Sequence, residues 1–194
     1  MAKTGKTERP AAVRIIAGIA RGRRIPVGSD SIRPTPDRVR ETAFNWLQAD
    51  LPDATCLDMF AGTGALGIEA WSRGAGSVTF VENDPQAVRL LEARLEEFGV
   101  SAKVHRADAL QLHYGHLGPF DIVFLDPPFQ GPDIANLCTL LEGSGGLSAS
   151  ALIYMEMHHK TRLPELPAGW TVKREQTAGK VRFALAERAG LSGE

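Results

Sequence analysis

Leu57-Asp58-Met59-Phe60-Ala61-Gly62-Thr63-Gly64-Ala65-Leu66-Gly67 carries three glycines at G-x-G-x-x-G spacing directly behind a short apolar run. The run from Ala54 to Phe60 reads as a buried strand, and a helical pattern begins within the same turn. Glycines there let backbone N–H groups approach an adenosine-bearing ligand without interference from a Cβ, and Gly67 lets the new helix pack closely on the sheet. Taken alone, the fingerprint suits a nicotinamide, a flavin or a sulfonium cofactor.

Two later pieces narrow the choice. Val81-Glu82-Asn83-Asp84 puts an acid about twenty residues past the glycines, where such a side chain meets ribose hydroxyls. Phe120-Asp121-Ile122-Val123-Phe124-Leu125-Asp126-Pro127-Pro128-Phe129 is an apolar strand closed by an acid, two prolines and an aromatic. The carboxyl ends of strands are where open α/β sheets hold their ligands. A third acid, Asp108 in Ala107-Asp108-Ala109, ends another strand and suits an adenine amino group, with a helix cap as the plainer alternative.

Strand and helix patterns alternate along the chain. Strand Ala54 to Phe60 leads to helix Ala65 to Arg73, strand Ser77 to Glu82 to helix Pro85 to Phe98, and strand Ala102 to Arg106 to the acid at 108. After the Asp126 strand, Gly131-Pro132-Asp133 opens a helix reaching about Leu141. Ala149 to Met157 is a further strand, and Thr171 to Thr177 with Lys180 to Ala186 form a closing hairpin. Seven strands with interleaved helices give an α/β, Rossmann-like, doubly wound sheet with an antiparallel C-terminal hairpin. Ahead of it, Arg33-Pro34-Thr35-Pro36-Asp37 reads as a helix start with Thr35 as N-cap and Pro36 at N1. That helix offers Val39, Ala43, Trp46 and Leu47 as its core face, and Arg38, Glu41, Thr42 and Asn45 as a polar stripe facing the cofactor's amino acid end or the substrate cleft.

Charge is distributed unevenly. Residues 1–40 hold ten Lys and Arg against three acids, although the whole chain has a net charge of −1. This asymmetry points to a polyanion docking on the N-terminal part, with a solvated tail as the alternative. Residues 1–11 lack pattern and are expected to be a disordered basic tail. Residues 12–32 form an arginine-rich hairpin, with Val13 to Ala17 and Arg24 to Val27 as its strands, and residues 33–189 make the main domain. Arg14, Arg21, Arg23 and Arg24 are the candidate contacts to that polyanion. Cys56 and Cys138 read as buried thiols, and His158 and His159 as surface residues, so no metal site is expected. With no apolar run long enough to span a membrane and no apolar segment in residues 1–10, the expectation is a cytoplasmic protein and no membrane partner.

The acid-Pro-Pro-Phe turn fits methylation of a planar exocyclic amine. Such an amine is a poor nucleophile because its lone pair is delocalised into the ring. Asp126 and the carbonyl of Pro127 could each accept one amine hydrogen, the prolines stiffen the turn, and Phe129 could stack on an extruded base. The turn after Leu125 must then lie beside the turn after Phe60. On this reading S-adenosylmethionine is the cofactor. It would be bound by Asp58, Phe60, Ala61, Gly62, Thr63, Gly64, Glu82, Asn83, Asp108 and Ala109, with Arg33, Thr35 and Arg38 near its amino acid end. Asp126, Pro127, Pro128 and Phe129 would carry catalysis.

Arg14-Ile15-Ile16-Ala17-Gly18, Arg21-Gly22-Arg23, the run Arg33 to Thr42, Phe44-Asn45-Trp46-Leu47, the glycine turn and Asp126 to Phe129 resemble the bacterial RsmD family of small-subunit rRNA guanine-N2 methyltransferases. The likeness spans Val13 to Arg188. It implies a class I methyltransferase fold and transfer of a methyl group from S-adenosylmethionine to N2 of one guanine in 16S rRNA. It also implies a partly assembled 30S subunit as substrate and RNA as the polyanion that Arg14, Arg21, Arg23 and Arg24 would contact, and the enzyme is expected to be a monomer. Methylation of adenine N6 in DNA or of a protein amide is the competing enzymatic reading, and a non-catalytic rRNA-binding assembly factor the competing binding role.

Overall fold

The computed structural model describes residues 12–27 and 35–189, so the expectations for residues 1–11, for residues 28–32 of the hairpin and for Arg33 lie outside the described residues. β1 (Ala12–Arg14) and β2 (Arg24–Pro26) pair as an antiparallel hairpin. Seven further strands make one sheet: β3 (Thr55–Asp58), β4 (Ser77–Glu82), β5 (Lys103–Arg106), β6 (Phe120–Leu125), β7 (Leu147–His158), β8 (Trp170–Ala178) and β9 (Val181–Arg188). Helices α1 (Asp37–Trp46), α2 (Ala65–Ser72), α3 (Pro85–Phe98) and α4 (Ile134–Gly143) are set among them. None of the described helices is long and apolar enough to cross a membrane.

Across the sheet the order is β5-β4-β3-β6-β7-β9-β8. From β3 the chain winds outward through α2, β4 and α3 to β5, then returns to lay β6 on the other side of β3. Strand order therefore reverses between β3 and β6, which makes their carboxyl ends the crevice of the sheet. Met59 N–H donates to the Phe124 carbonyl at 3.1 Å, so the two turns expected to be neighbours are neighbours. The doubly wound sheet and its antiparallel closing hairpin match the sequence reading.

Local chemistry explains the element ends. Asp84 caps α3 by accepting from Gln86 N–H at 2.6 Å and Ala87 N–H at 3.3 Å, with Pro85 at N1, where its missing N–H costs nothing. At Gly67 a Cβ would stand 2.2 Å from the Phe80 ring, so only glycine lets α2 lie this close to β4. Side-chain alternation then sorts each strand between two cores. Cys56, Ile122, Phe124 and Tyr154 lie in the core that also holds residues of α1, α2 and α3, while Leu57, Val123, Leu125 and Met155 lie in the one that includes α4.

α1 departs from expectation. Its buried residues are Val39, Arg40, Ala43 and Phe44, so Phe44 rather than Trp46 fills the core. Trp46 is half-buried and stacks on Phe183 with ring centroids 5.1 Å apart. Arg40 is 0% exposed, which no apolar periodicity foresees. Its Nη2 donates to Asp37 Oδ1 and to the Arg14 carbonyl, each at 2.7 Å, and its Nη1 lies 3.6 Å from Glu69 Oε2.

Glu69, also fully buried, docks the N-terminal hairpin. Its carboxylate accepts from Ile16 N–H at 2.7 Å, Ala17 N–H at 3.0 Å and Arg73 Nε at 2.7 Å. β1 therefore stops at Arg14 rather than Ala17: the next backbone donors turn to the α2 carboxylate. Removing one partner from a buried ion cluster leaves uncompensated charge, which costs about 3–5 kcal/mol. Glu69→Ala should lose about that much stability in urea unfolding. It should also speed amide exchange at Ile16 and Ala17; unchanged exchange there would mean that the hairpin is held by its apolar residues alone.

Candidate functional site

Five carboxylates lie along the carboxyl edge of five successive strands. Asp108 follows β5, Glu82 ends β4, Asp58 ends β3, Asp126 follows β6, and Glu156 stands near the end of β7. The pairing of Leu125 with Met155 sets Asp126 next to Glu156. By alternation Asp58, Asp126, Tyr154 and Glu156 share the face that carries α1.

Asp58 is buried and accepts from Gly67 N–H at 2.9 Å, tying the end of β3 to the first turn of α2. Burial pushes its carboxyl up to about 7, the Gly67 N–H opposes this, and the charges of Asp126 and Glu82 add to the rise. Glu82 accepts from Gly62 N–H at 2.8 Å through one oxygen and from Asn83 and Asp84 N–H, each at 2.8 Å, through the other. It thereby clips the glycine turn to β4. Asp108 Oδ1 accepts from Leu110 N–H at 2.9 Å within a turn that leads into no helix, so it caps none, and the Ala109 carbonyl accepts from the Tyr114 hydroxyl at 2.8 Å.

The glycine turn keeps space above it. Gly62 has φ +50°, and a Cβ there would meet nothing closer than the Phe60 carbonyl oxygen at 4.0 Å, so a side chain would fill an otherwise open cradle. Phe60 and Thr63 border that turn half-buried, Ala61 and Gly64 are buried within it, and Asn83 is exposed beside Glu82. The cradle and the row of acceptors suit a ligand carrying an amine, a cation and ribose hydroxyls.

The second turn, Asp126 to Phe129, follows β6. Burial raises Asp126 to about 6 against the opposing hydrogen bond from Thr35. Pro127 is buried, Pro128 is exposed, and the Pro128 carbonyl accepts from Gly131 N–H at 2.6 Å, which closes the turn. Phe129 is 55% exposed and meets the His158 ring edge-on, with centroids 5.6 Å apart. His158 is therefore half-buried against Phe129, not the plain surface residue expected from the sequence.

Several expected roles change. Pro36, not Thr35, is the N-cap of α1, and no side chain caps that helix. The Thr35 hydroxyl instead lies 3.0 Å from Asp126 Oδ2 and 3.1 Å from Glu156 Oε2, because the chain enters α1 directly over the strand ends. Arg38 is exposed, and Glu41 and Asn45 face the hairpin, lining with Arg14, Arg21 and Arg73 a cleft of about 370 Å³. Among the arginines, Arg23 is engaged: its Nη2 donates to the Glu97 carbonyl at 2.9 Å and its guanidinium lies 3.6 Å from the Phe98 ring centroid. Arg14, Arg21 and Arg24 are exposed. Sequence reasoning passed over Glu156 and Tyr154, although a glutamate inside Ala151-Leu152-Ile153-Tyr154-Met155-Glu156-Met157 breaks an apolar run on an inner strand.

A glycine turn and an acid-Pro-Pro-Phe turn facing each other across the reversal of a seven-stranded sheet define a methyltransferase of the Rossmann-like class. An RNA methyltransferase of Salinibacter ruber shares the fold, with a TM-score of 0.61 over 84% of this chain and 97% of that one, at 18% identity. Residues 13–187 match the family described as Conserved hypothetical protein 95. The ribosomal RNA small subunit methyltransferase D of Escherichia coli K12 is 44% identical over 178 residues, 91% of this chain and 90% of that protein. The solved structure of the Escherichia coli protein yhhF superimposes with a TM-score of 0.84 at 42% identity, over 93% of this chain and 99% of that one. The chain belongs to the ribosomal RNA small subunit methyltransferase D family.

The raised carboxyl of Asp58 has a measurable consequence. In the unfolded chain it titrates near 3.8, and in the fold near 7, so folding binds this proton more tightly. The stability it contributes is complete below about pH 4 and is lost as the pH rises through about 7. Asp58→Asn keeps an oxygen for the Gly67 N–H and does not titrate. Urea unfolding should show the variant gaining on its parent across that window, by on the order of 1.4 kcal/mol per pKa unit. A difference that stays level with pH would show an ordinary, ionised Asp58.

Proposed function

We propose that N2 of a guanine in 16S rRNA is the methyl acceptor of this S-adenosylmethionine-dependent rRNA methyltransferase. The observation that carries the reading is the adjacency of β3 and β6, which sets Asp126 beside the turn that offers the cofactor cradle. S-adenosylmethionine supplies an electrophilic methyl group on a sulfonium. Gly62 and its neighbours would hold it from Phe60 to Gly64, with Glu82 and Asn83 toward the ribose and Asp108 and Ala109 toward the base.

The protein's part is to make a weak nucleophile react. Asp126 Oδ2 is engaged by Thr35, so Oδ1 is the oxygen left to accept one hydrogen of the amine, and the Pro127 carbonyl accepts the other. Both bonds pull the nitrogen toward tetrahedral geometry and aim its lone pair at the methyl group. As the N–C bond forms and the C–S bond breaks, the surplus proton on nitrogen passes to the Asp126 carboxylate and then to water. Phe129, braced by His158, offers its face to the base, and such stacking offsets part of the cost of extrusion, about 1–3 kcal/mol per base.

Arg14, Arg21 and Arg24 are proposed to meet phosphates. The hairpin bend lies against Phe98, at the far end of a 14-residue helix from Asp84. At 1.5 Å per residue that is about 20 Å. A substrate touching both places must reach across that span, as a segment of rRNA held within a partly assembled small subunit would.

Incubation with tritiated S-adenosylmethionine and methyl-deficient 30S subunits should label one guanine, located by mass mapping; label on adenine, or on duplex DNA in preference to 30S, would end the proposal. Asp126→Asn should bind S-adenosylmethionine normally and lose turnover by about 10²–10⁴-fold. Lost affinity instead would reassign Asp126 to the cofactor.

Joint replacement of Arg21 and Arg24 by alanine should weaken RNA binding and flatten its dependence on log salt by about 0.9 per phosphate contact removed. Arg23→Ala should act mainly on stability. Identical salt slopes for the double variant and its parent would take the bend out of the interface.

A further inference from the structure

Thr35 has one hydroxyl proton and two carboxyl groups in reach. Its Oγ1 is 3.0 Å from Asp126 Oδ2 and 3.1 Å from Glu156 Oε2. Were both carboxyls ionised, one of these contacts would hold no hydrogen and would set lone pair against lone pair. A second proton on one of the acids gives each contact its own hydrogen and removes the repulsion. Glu156 is its place: it is 3% exposed, on an inner strand, whereas Asp126 is only partly buried, in the turn beyond its strand. The other Glu156 oxygen, Oε1, already accepts from the Tyr154 hydroxyl at 2.8 Å.

We propose that Glu156 is a neutral carboxylic acid that positions Asp126 through Thr35, in a directed chain running from the Tyr154 hydroxyl to Glu156, from Glu156 Oε2–H to Thr35, and from Thr35 to Asp126 Oδ2. The chain fixes which oxygen of Asp126 faces the substrate and keeps that carboxylate ionised in a buried setting. Glu156 touches neither substrate nor cofactor and is a positioning residue.

The surroundings agree. Burial raises the Glu156 carboxyl well above the ordinary range and the Asp126 charge adds to this, while Tyr154, Thr35 and Arg40 pull the other way. Asp58, at the end of neighbouring β3, adds another carboxyl beside Asp126. Arg40 is the cation among these groups, and its hydrogen bonds go to Asp37 and the Arg14 carbonyl.

The inference rests on Asp126 as the acceptor of the amine hydrogen, and the test separates the two ideas. In the infrared difference spectrum between wild type and E156Q at neutral pH, the carbonyl stretch of a protonated carboxylic acid should be present in wild type and lost in the variant, whatever the activity. In the 30S assay, E156L should lower kcat about tenfold or more without raising the KM for S-adenosylmethionine, because Thr35 and Tyr154 lose their partner. E156Q should rescue most of that loss, since its amide donates to Thr35 and accepts from Tyr154. T35V should shift the acid limb of kcat to higher pH, and T35S should restore it. If E156L does not fold, E156Q, T35V and the infrared band still decide. Absence of the band, a Gln variant as impaired as the Leu variant, or an acid limb that moves down in E156Q would overturn the proposal and make Glu156 an anion paired with Arg40. A turnover retained by Asp126→Asn would overturn the Asp126 reading alone and leave the infrared result standing.

Discussion

The parallel pairing of β3 with β6 is the constraint on which the site depends. Two strands separated by more than sixty residues become neighbours because the chain winds out to β5 on one side of β3 and comes back on the other. At that reversal no crossover helix covers the strand ends, so a crevice opens where the glycine turn and the acid turn meet. The hydrogen bond from Met59 to the Phe124 carbonyl holds the two turns in register. Had β6 joined the sheet beside β5, the same residues would form two unrelated loops.

Around this crevice the protein concentrates negative charge and removes it from water. Each acid is given a different answer to the same cost of burial. Glu82 is stabilised by three backbone N–H groups, Asp58 by those of Gly67 and, more weakly, Phe60, and Asp126 by the Thr35 hydroxyl. Glu156, the most deeply placed on its strand, takes a hydroxyl from Tyr154. The gradation follows position, because donor-rich Glu82 anchors a turn, whereas donor-poor Asp126 keeps one carboxylate oxygen free of protein donors among the described residues. A cofactor carrying positive charge would be drawn to this row of acids by the same field that makes their ionisation costly.

The basic N-terminal hairpin is joined to the main domain not by a continuous sheet but by its apolar residues Val13, Ile15, Ala20 and Ile25, by Ser72, and by a buried ion cluster. Glu69 collects two backbone donors from the hairpin and guanidinium groups from α1 and α2, and Arg40 in turn holds the Arg14 carbonyl. Because Asp37 and Thr35 lie at the start of the same helix as Arg40, the hairpin and the Asp126 turn are fastened to one element. The hairpin is thus registered mechanically against the Asp126 turn.

Sequence by itself determined the α/β class, the two turns, the caps of α3 and the closing antiparallel hairpin. These rest on local signals, namely side-chain period, glycine and proline at turn positions, and acids at strand ends. It also marked Asp126 and the glycine turn as partners, since only one strand-end turn carried acid-Pro-Pro-Phe. Tertiary structure alone decided that Thr35 serves Asp126 rather than capping α1, that Arg23 is committed to Phe98, and that Arg40 and Glu69 are buried as a pair. It also brought Glu156 within reach of Asp126. Each of these depends on a register or a contact between residues distant in sequence. A local pattern cannot report what lies across a strand pair, and a buried charge looks like a surface charge until its partner is in place.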